Sequence, residues 1–213
     1  MIDSIIFDFD GVIVDSVDIK TEAFVTLYGA YPDCIKNKVR LHHLENAGIS
    51  RYKKIYFYQK YLIQENYSED TINHLAEKFS DIVVAKVIDS KYVPGAYEFI
   101  KNNHEKIDLH IATGTPQGEI ELILTKRNIV QFFKSIYGTP LSKTEIIRKV
   151  LKKYNYNENK VLFIGDAMSD YIGANNNNIR FLGRVESGAD SIFPIDQIIV
   201  NDLHKLKDFL KTL

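Results

Sequence analysis

The sequence predicts an α/β protein built on a doubly wound parallel sheet, with an α-helical domain inserted near its start. Short runs that are apolar at every position alternate with amphipathic helical stretches, as expected when helices cover both faces of a sheet. The run VLFI at residues 161–164 is an example. Residues 16–88 break this alternation, because they carry helical spacing and no convincing strand. With 213 residues, 45% of them hydrophobic, the chain can bury a core of ordinary size in one or two domains.

The individual elements follow from the spacing of apolar residues. Strands are predicted at the short apolar runs of residues 4–9, 109–113, 135–137, 161–164, 181–182 and 198–200. Helices are predicted where apolar residues recur every three or four positions, at residues 96–102, 118–126, 144–154 and 203–210. The four asparagines at 175–178 are interpreted as a helix end, since asparagine tolerates left-handed backbone.

The insert is predicted to be a helical cap domain of residues 16–88, with residues 1–15 and 89–213 forming the sheet domain. Its clearest helix has Ser68 in position to cap the start. The apolar positions that follow the helical rhythm are Ile72, Leu75, Ala76, Phe79, Val83 and Val87.

The composition excludes several classes of protein. Lysine and arginine together number 27 against 28 acidic residues, so no global basic field is present to hold nucleic acid or an anionic membrane. The single cysteine, Cys34, cannot form an internal disulfide and makes a structural zinc site improbable. The chain has no apolar run of about 20 residues and no basic flank at its start. We therefore expect a cytoplasmic protein, and nothing in the sequence demands more than a monomer.

Two aspartates end the first predicted strand, in the run FDFDGVIVDS at residues 7–16. Residues i and i+2 of a strand point to the same side, so Asp8 and Asp10 are predicted to face one pocket as Gly11 releases the chain into a turn. Ligands of open α/β sheets bind at the carboxyl ends of the strands. Two close carboxylates repel unless a cation or a shared proton relieves them, and Mg²⁺ is such a cation. The alternative is that both residues cap a turn.

Three further segments follow predicted strands and would meet at the same cleft. In HIATGTP, the hydroxyl of Thr113 and the backbone N–H groups at Gly114 can bind a phosphoryl oxygen, although a Thr-Gly turn is also common. In LSKTE, an S-x-x-E capping box places Lys143 in the first turn of a helix, where a cation opposes the helix dipole. Such a local violation is expected at functional sites, whereas a solvated lysine is the alternative.

The third segment is GDAMSD at residues 165–170. Asp166 and Asp170 follow a buried strand and lie four residues apart, so they share one side if the turn is helical. This arrangement suits one metal ligand with a second carboxylate that supports it. The alternative is that Asp166 only caps the helix.

Taken together, the motifs resemble those of the haloacid dehalogenase (HAD) superfamily of phosphohydrolases. DFDGVIVDS, ATG, Lys143 and GDAMSD occur in the order and approximate spacing of its four motifs. The insert is similar to the C1 cap of the phosphoglycolate phosphatase and β-phosphoglucomutase branch. The resemblance spans the whole chain and implies a Rossmann-like, HAD-type core. The chain departs from this branch in having SKTE where a proline often adjoins the lysine, and NNNN in place of Ala-Gly.

The resemblance implies roles for individual residues. Asp8 would be the nucleophile that forms an aspartyl-phosphate, and Asp10 the general acid that then activates water. The phosphoryl group would be bound by Thr113, Gly114 and Lys143. The Mg²⁺ cofactor would be bound by Asp8, the backbone carbonyl of Asp10 and Asp166, with Asp170 supporting them.

The implied activity is Mg²⁺-dependent hydrolysis of a small phosphorylated metabolite, such as a sugar phosphate, phosphoglycolate or a nucleotide-like ester. A sugar phosphomutase of the β-phosphoglucomutase type remains an alternative, because its active-site residues are the same and only a second anion site on the cap is added. A non-catalytic binding protein on this fold is the third alternative. The presence of every expected catalytic side chain argues against it.

The cap also holds a candidate for substrate recognition in HHLENAGISRYKK, residues 42–54. Gly48 and Ser50 predict a break between helices that could aim the next turn at the cleft. Arg51 is our candidate specificity residue, since its planar fork holds an anion through two hydrogen bonds. The alternative is that Arg51, Lys53 and Lys54 are all solvated.

Overall fold

The computed structural model describes residues 2–65 and 67–213. Its centre is a six-stranded sheet in which every pairing is parallel, in the order β3-β2-β1-β4-β5-β6. The strands are β1 Ser4–Phe7, β2 Asp108–Pro116, β3 Ser135–Thr139, β4 Val161–Gly165, β5 Arg180–Arg184 and β6 Ile199–Val200. The predicted doubly wound α/β fold is confirmed.

Nine α-helices accompany this sheet within the described residues. They are α1 Val17–Leu27, α2 Asp33–Glu45, α3 Arg51–Phe57, α4 Glu69–Asp89, α5 Ala96–Asn103, α6 Gln117–Lys126, α7 Lys143–Tyr154, α8 Met168–Asn175 and α9 Leu206–Phe209. A six-residue π-helix, Tyr58–Ile63, continues α3. None of these helices is both long enough and apolar enough to cross a membrane.

Both faces of the sheet are buried, which explains why its strands are apolar at every position. In β1, Ile5 and Phe7 pack into a core on one face, whereas Ile6 packs into a core on the other. The first core includes α5 and α6, through Ile100 and Ile123 respectively. The second includes α7, through residues such as Ile147. The site described below therefore sits on a rigid frame.

The helical insert is confirmed between β1 and β2, where α1–α4 pack around a group of aromatic side chains. Phe24 lies 4.2 Å from Phe79 between ring centroids, and Tyr28 meets Tyr58 edge-on at 5.5 Å. Ser68 caps α4 as predicted, since its hydroxyl accepts a hydrogen bond from Thr71 N at 3.1 Å. The domain boundaries at residues 16 and 88 stay a prediction.

Two predicted elements are shorter than expected. β1 ends at Phe7 and not at residue 9, because the Phe9 carbonyl accepts hydrogen bonds from the N–H groups of Ile13 and Val14 and so closes a turn. Near the end of the chain, the Leu203 N–H bonds to the Pro94 carbonyl at 2.8 Å, and α9 begins only at Leu206.

Candidate active site

The candidate site lies at the carboxyl ends of β1 and β4, the neighbouring strands at which the chain changes direction across the sheet. Open α/β sheets form their ligand crevice at such a switch point. Asp8 follows β1 directly and continues the hydrogen bonding between β1 and β4, since its N–H bonds to the Ile164 carbonyl at 2.9 Å. Asp166 follows β4. Two distant segments thus bring carboxylates to one edge of the sheet.

Three carboxylates cluster there around one ammonium group. Oxygens of Asp8, Asp166 and Asp170 lie within 4.8 Å of one another. Lys143 Nζ lies 2.6 Å from Asp8 Oδ2 and also bonds to Asp170 Oδ1. Asp170 further accepts a hydrogen bond from Ala167 N at 3.0 Å. Lys143 occupies the first turn of α7 after the capping box of Ser142 and Glu145, as predicted.

The charges of this cluster do not balance. Burial, opposed by Lys143, raises the pKa of Asp8 to about 7. Burial and then the charge of Asp8 raise the pKa of Asp166 well above its usual range. Burial would lower the pKa of Lys143, but the carboxylates of Asp170 and Asp8 outweigh it and raise that pKa. Three ionised carboxylates would outnumber the one ammonium, so the cluster favours either a retained proton or an added cation.

These donors fit a hard divalent cation. Mg²⁺ prefers oxygen ligands and is usually held by one or two carboxylates, and here it would relieve the repulsion that raises the pKa of Asp8 and Asp166. Gly11 adds steric evidence, because a Cβ at this residue would collide with the Asp166 carboxylate. Its φ of +75° also favours glycine. The turn after β1 therefore passes directly against Asp166.

Asp10 is held apart from this cluster by three other partners. Its carboxylate accepts hydrogen bonds from Ser16 Oγ at 2.7 Å and Thr115 Oγ1 at 3.0 Å, and it forms an ion pair with Lys20. Burial raises the pKa of Asp10, but Lys20 and the two hydroxyls outweigh burial and hold the pKa below its usual value. The carboxyl of Asp10 is therefore ionised near neutral pH.

Sequence reasoning missed these partners of Asp10. Thr115 had a signal, because it lies two residues after Thr113, and residues at this spacing share a side of a regular strand. Lys20 carried none, since only the packing of α1 brings its ammonium to Asp10 and to Thr115 Oγ1, the latter at 2.8 Å.

The predicted phosphate-binding residues line a cavity of about 230 Å³ that adjoins the carboxylates. Thr113, Gly114 and Lys143 share its wall. Thr113 Oγ1 accepts the Thr115 N–H at 3.2 Å, and the Gly114 carbonyl accepts Thr139 Oγ1 at 2.9 Å. These two hydrogen bonds hold the backbone of residues 113–115, near the end of β2, in place. The structure brings the three residues together, and their phosphate-binding role stays a prediction.

The cap reaches this wall through the loop between α2 and α3. The predicted break at Gly48 and Ser50 is present, since α2 ends at Glu45 and α3 begins at Arg51. A Cβ on Gly114 would lie 2.7 Å from the Gly48 carbonyl oxygen. Gly48 has φ +74°, and a Cβ there would collide with Ser169 Oγ. The cap loop thus closes directly over the phosphate-binding segment.

Arg51 is buried between cap and core. Its guanidinium forms two hydrogen bonds to Glu119 of α6, at 2.7 and 2.5 Å, and a third to Ser80 of α4 at 2.5 Å. The guanidinium also lies 4.6 Å from the centre of the Phe79 ring. The alternative of a solvated Arg51 is wrong, whereas Lys53 is exposed. A substrate-reading role for Arg51 stays a prediction.

A second buried cation of α3, Lys54, was not singled out from the sequence. It lines a cavity of about 50 Å³ together with Asp8, Asp10 and Lys20. Its Nζ lies 2.9 Å from Nδ1 of His43, a buried residue of α2. The spacing R-Y-K-K offered a signal, because positions three apart on a helix share a face.

Comparison with known proteins supports the same assignment. The family model described as haloacid dehalogenase-like hydrolase matches residues 5–184. The chain belongs to this family. The motifs that carried the resemblance lie inside the matched range, and so does the helical insert.

Individual relatives of this hydrolase are distant. A Pseudomonas aeruginosa protein named 5'-nucleotidase is 25% identical over 189 residues, covering 84% of this chain and 81% of its own. A crystal structure of β-phosphoglucomutase from Clostridium difficile has a TM-score of 0.76 at 19% identity, covering 100% and 96%. The HAD-hydrolase YfnB from Bacillus subtilis, bound to magnesium, has a TM-score of 0.73 at 18% identity and covers 98% of both chains. At these identities the two solved structures show the fold alone.

Proposed function

We propose that this hydrolase is a Mg²⁺-dependent phosphatase that cleaves a small phosphate monoester through an aspartyl-phosphate on Asp8. One observation carries the proposal: Lys143 bridges Asp8 and Asp170 inside a cluster of three carboxylates at the switch point of the sheet. Mg²⁺ held by Asp8, Asp166 and the Asp10 carbonyl, with Asp170 in support, would neutralise charge on the phosphoryl oxygens. Charge neutralisation and positioning supply most of the rate in phosphoryl transfer.

In the first half of the reaction, a carboxylate oxygen of Asp8 attacks phosphorus and the bond from phosphorus to the leaving oxygen breaks. The proton for that oxygen passes through Asp10, whose low pKa makes the protonated form a minor species at neutral pH, and the product leaves as a neutral alcohol. The Lys143 ammonium, the Thr113 hydroxyl and the Gly114 N–H bind the phosphoryl oxygens during the transfer. The result is an aspartyl-phosphate and an ionised Asp10.

In the second half, Asp10 removes a proton from water as the water oxygen attacks phosphorus. The bond from phosphorus to the Asp8 oxygen breaks, and inorganic phosphate and the Asp8 carboxylate are released. The ionised state of Asp10, held by Lys20, Ser16 and Thr115, supports this role as a base. One residue thus acts as an acid and then as a base.

A panel of phosphate monoesters assayed with Mg²⁺ and with chelator tests the proposal. We expect phosphate release only with Mg²⁺, and a loss on the order of 10³ or more in kcat for Asp8→Asn, which removes the nucleophile but keeps its shape. Equal release with chelator, or an active Asp8→Asn variant, would contradict the proposal.

Two alternatives remain within the enzymes. The similarity to a relative named 5'-nucleotidase makes a nucleoside monophosphate one candidate substrate of this chain, and nucleotides in the same panel test it.

A phosphomutase would bind a bisphosphate in both orientations and so needs a second anion site on the cap. Phosphorus NMR of a sugar phosphate incubated with the enzyme separates isomerisation from release of inorganic phosphate. A non-catalytic protein would give neither product.

A further inference from the structure

Lys54 differs from the other buried or half-buried cations around the candidate site. Lys143 pairs with Asp8 and Asp170, Lys20 with Asp10, and Arg51 with Glu119. Lys54 is only 3% exposed, yet no carboxylate pairs with it in the described parts of the chain. Its only hydrogen-bond partner there is His43 Nδ1, at 2.9 Å.

The hydrogen bond to His43 leaves Lys54 with unused donors. Burial and then the charge of Lys54 lower the pKa of His43 to about 2, so this imidazole is neutral and Nδ1 accepts. An ammonium group has three N–H donors, and one is used here. Two N–H groups therefore have no acceptor among residues 2–65 and 67–213. The Phe24 ring, 5.6 Å from Nζ, gives weak support to the charge.

The surroundings of Lys54 disfavour its charged form when no anion is bound. Burial and the charge of Lys20 lower the pKa of Lys54 to about 7, against the opposite influence of Asp10 and Asp166. A buried ammonium that lacks a counter-charge destabilises a fold, and an apolar residue of similar length would avoid this penalty. A wall of the active-site cavity is where an incoming anion can supply the missing charge.

We infer that Lys54 binds an anionic group on the leaving-group half of the substrate, so that the substrate is a phosphate monoester whose leaving group carries a second acid group. The inference rests on the proposed phosphatase function. Lys54 belongs to the cap and Asp8 to the core, so the two residues would hold opposite ends of one small molecule.

The volume of the cavity limits the size of that molecule. Its volume of about 50 Å³ corresponds to roughly four waters. The phenyl rings of Phe24 and Phe79 form part of its wall. With the cap in this position, the space beside Lys54 suits a compact leaving group of a few atoms. A carboxylate next to the ester carbon is a smaller acid group than a second phosphate and suits this small cavity better.

The test compares two esters that differ only in charge, 2-phosphoglycolate and its carboxamide. We expect the ratio of kcat/KM for the acid over that for the amide to fall at least 10-fold in Lys54→Met. The matched control is Lys60→Met on the π-helix that continues α3, in which the ratio stays unchanged because Lys60 is exposed and lines neither cavity. Ethylene glycol bisphosphate tests a second phosphate in place of the carboxylate. An equal loss for acid and amide in Lys54→Met, or no preference for the acid in the wild type, would overturn the inference.

A binding measurement keeps this test separate from catalysis. 3-Phosphonopropionate replaces the ester oxygen with carbon and cannot be hydrolysed at that bond. In calorimetric titration with Mg²⁺ present, we expect about 10-fold weaker binding to Lys54→Met and to a second variant, Lys54→Gln. At pH 8 the wild type should take up protons on binding and Lys54→Met should take up fewer, because an anion raises the pKa of Lys54. If no ester is hydrolysed, the proposed function fails, and unchanged phosphonate affinity in both variants would reject the role of Lys54.

Discussion

Asp8 and Asp10 lie two positions apart, yet their surroundings push their pKa values in opposite directions. Burial raises the pKa of Asp8 to about 7. Lys20, Ser16 and Thr115 overcome burial at Asp10 and lower its pKa. Pairs of carboxylates separated in this way commonly divide the roles in a reaction. The neighbours of each carboxylate, which lie on different elements, therefore decide what it does.

The variant Asp10→Asn should keep the structure and lose proton transfer. We expect kcat to fall roughly 10² to 10⁴-fold for an alkyl phosphate, since this is the usual contribution of positioned acid–base catalysis. With p-nitrophenyl phosphate the formation of the aspartyl-phosphate should be much less affected, because p-nitrophenolate needs no proton to leave. Single-turnover kinetics with both esters would measure this difference. An identical loss for both would assign Asp10 a role other than that of acid.

The variant Asp166→Asn should be more stable than the wild type in the absence of metal. The substitution removes one of three mutually repelling carboxylates, and active-site strain of this kind is commonly relieved at the expense of function. We expect a higher Tm in chelator and the loss of the upward Tm shift that Mg²⁺ should give the wild type. A lower Tm in chelator, with a normal response to Mg²⁺, would contradict the proposed metal site.

At the scale of elements, β2 joins the site to a buried polar network on one face of the sheet. Within β2, Thr113 and Thr115 face the cleft, while the completely buried His110 bonds to Ser135 Oγ at 2.7 Å and lies 3.1 Å from the Tyr156 hydroxyl. Tyr156 in turn donates to Asp108 at 2.5 Å. The network anchors the strand that presents the phosphate-binding segment.

His110 should make the stability of the fold dependent on pH. Burial lowers its pKa from 6.5 to about 4, so the unfolded chain binds a proton between these values and the native chain does not. Stability should fall as pH decreases from about 6.5 to about 4, by up to about 3 kcal/mol from this group. Urea unfolding across this range should show a smaller slope for His110→Phe, which keeps an aromatic ring between Tyr154 and Tyr156. An unchanged slope would assign the pH dependence to other groups, such as His43.

The contact between α3 and α6 sets how the cap meets the core. Arg51 and Glu119 are almost completely buried, with side chains 4% and 8% exposed. Removing one partner of such a pair leaves the other charge buried and alone, which is more damaging than removing both.

We therefore expect Arg51→Ala and Glu119→Ala to lower kcat/KM for every ester, and the double variant to lose less than the product of the two losses. Steady-state kinetics of the four proteins would measure this coupling. A loss confined to the best ester in Arg51→Ala, independent of Glu119, would instead give Arg51 the predicted role in substrate specificity.

At the scale of the whole molecule, the fold followed from the sequence because apolar runs and helical periods are local signals. The doubly wound sheet and the insert before β2 needed no knowledge of long-range contacts. Asp8, Asp166 and Lys143 could also be located, since they follow strands or a capping box. Glu119 and Lys20 could not. Glu119 lies 68 positions from Arg51, and only the packing of the cap on the core brings the two together.

Gly48 of the cap and Gly114 of the core approach so closely that residue 114 has room for a hydrogen atom but not for a methyl group. A methyl group on Gly114 would meet the Gly48 carbonyl at 2.7 Å, while the backbone N–H of residue 114 would be retained. Gly114→Ala should therefore keep the cap from closing fully on the core without removing any phosphate-binding group. Solvent would then reach the transferred phosphoryl group in every cycle, and the leaving group would lose its contact with the cap. We expect lower kcat with an intact affinity for inorganic phosphate, measured by kinetics and calorimetry. Full activity in Gly114→Ala would show that turnover does not require the cap to close this far.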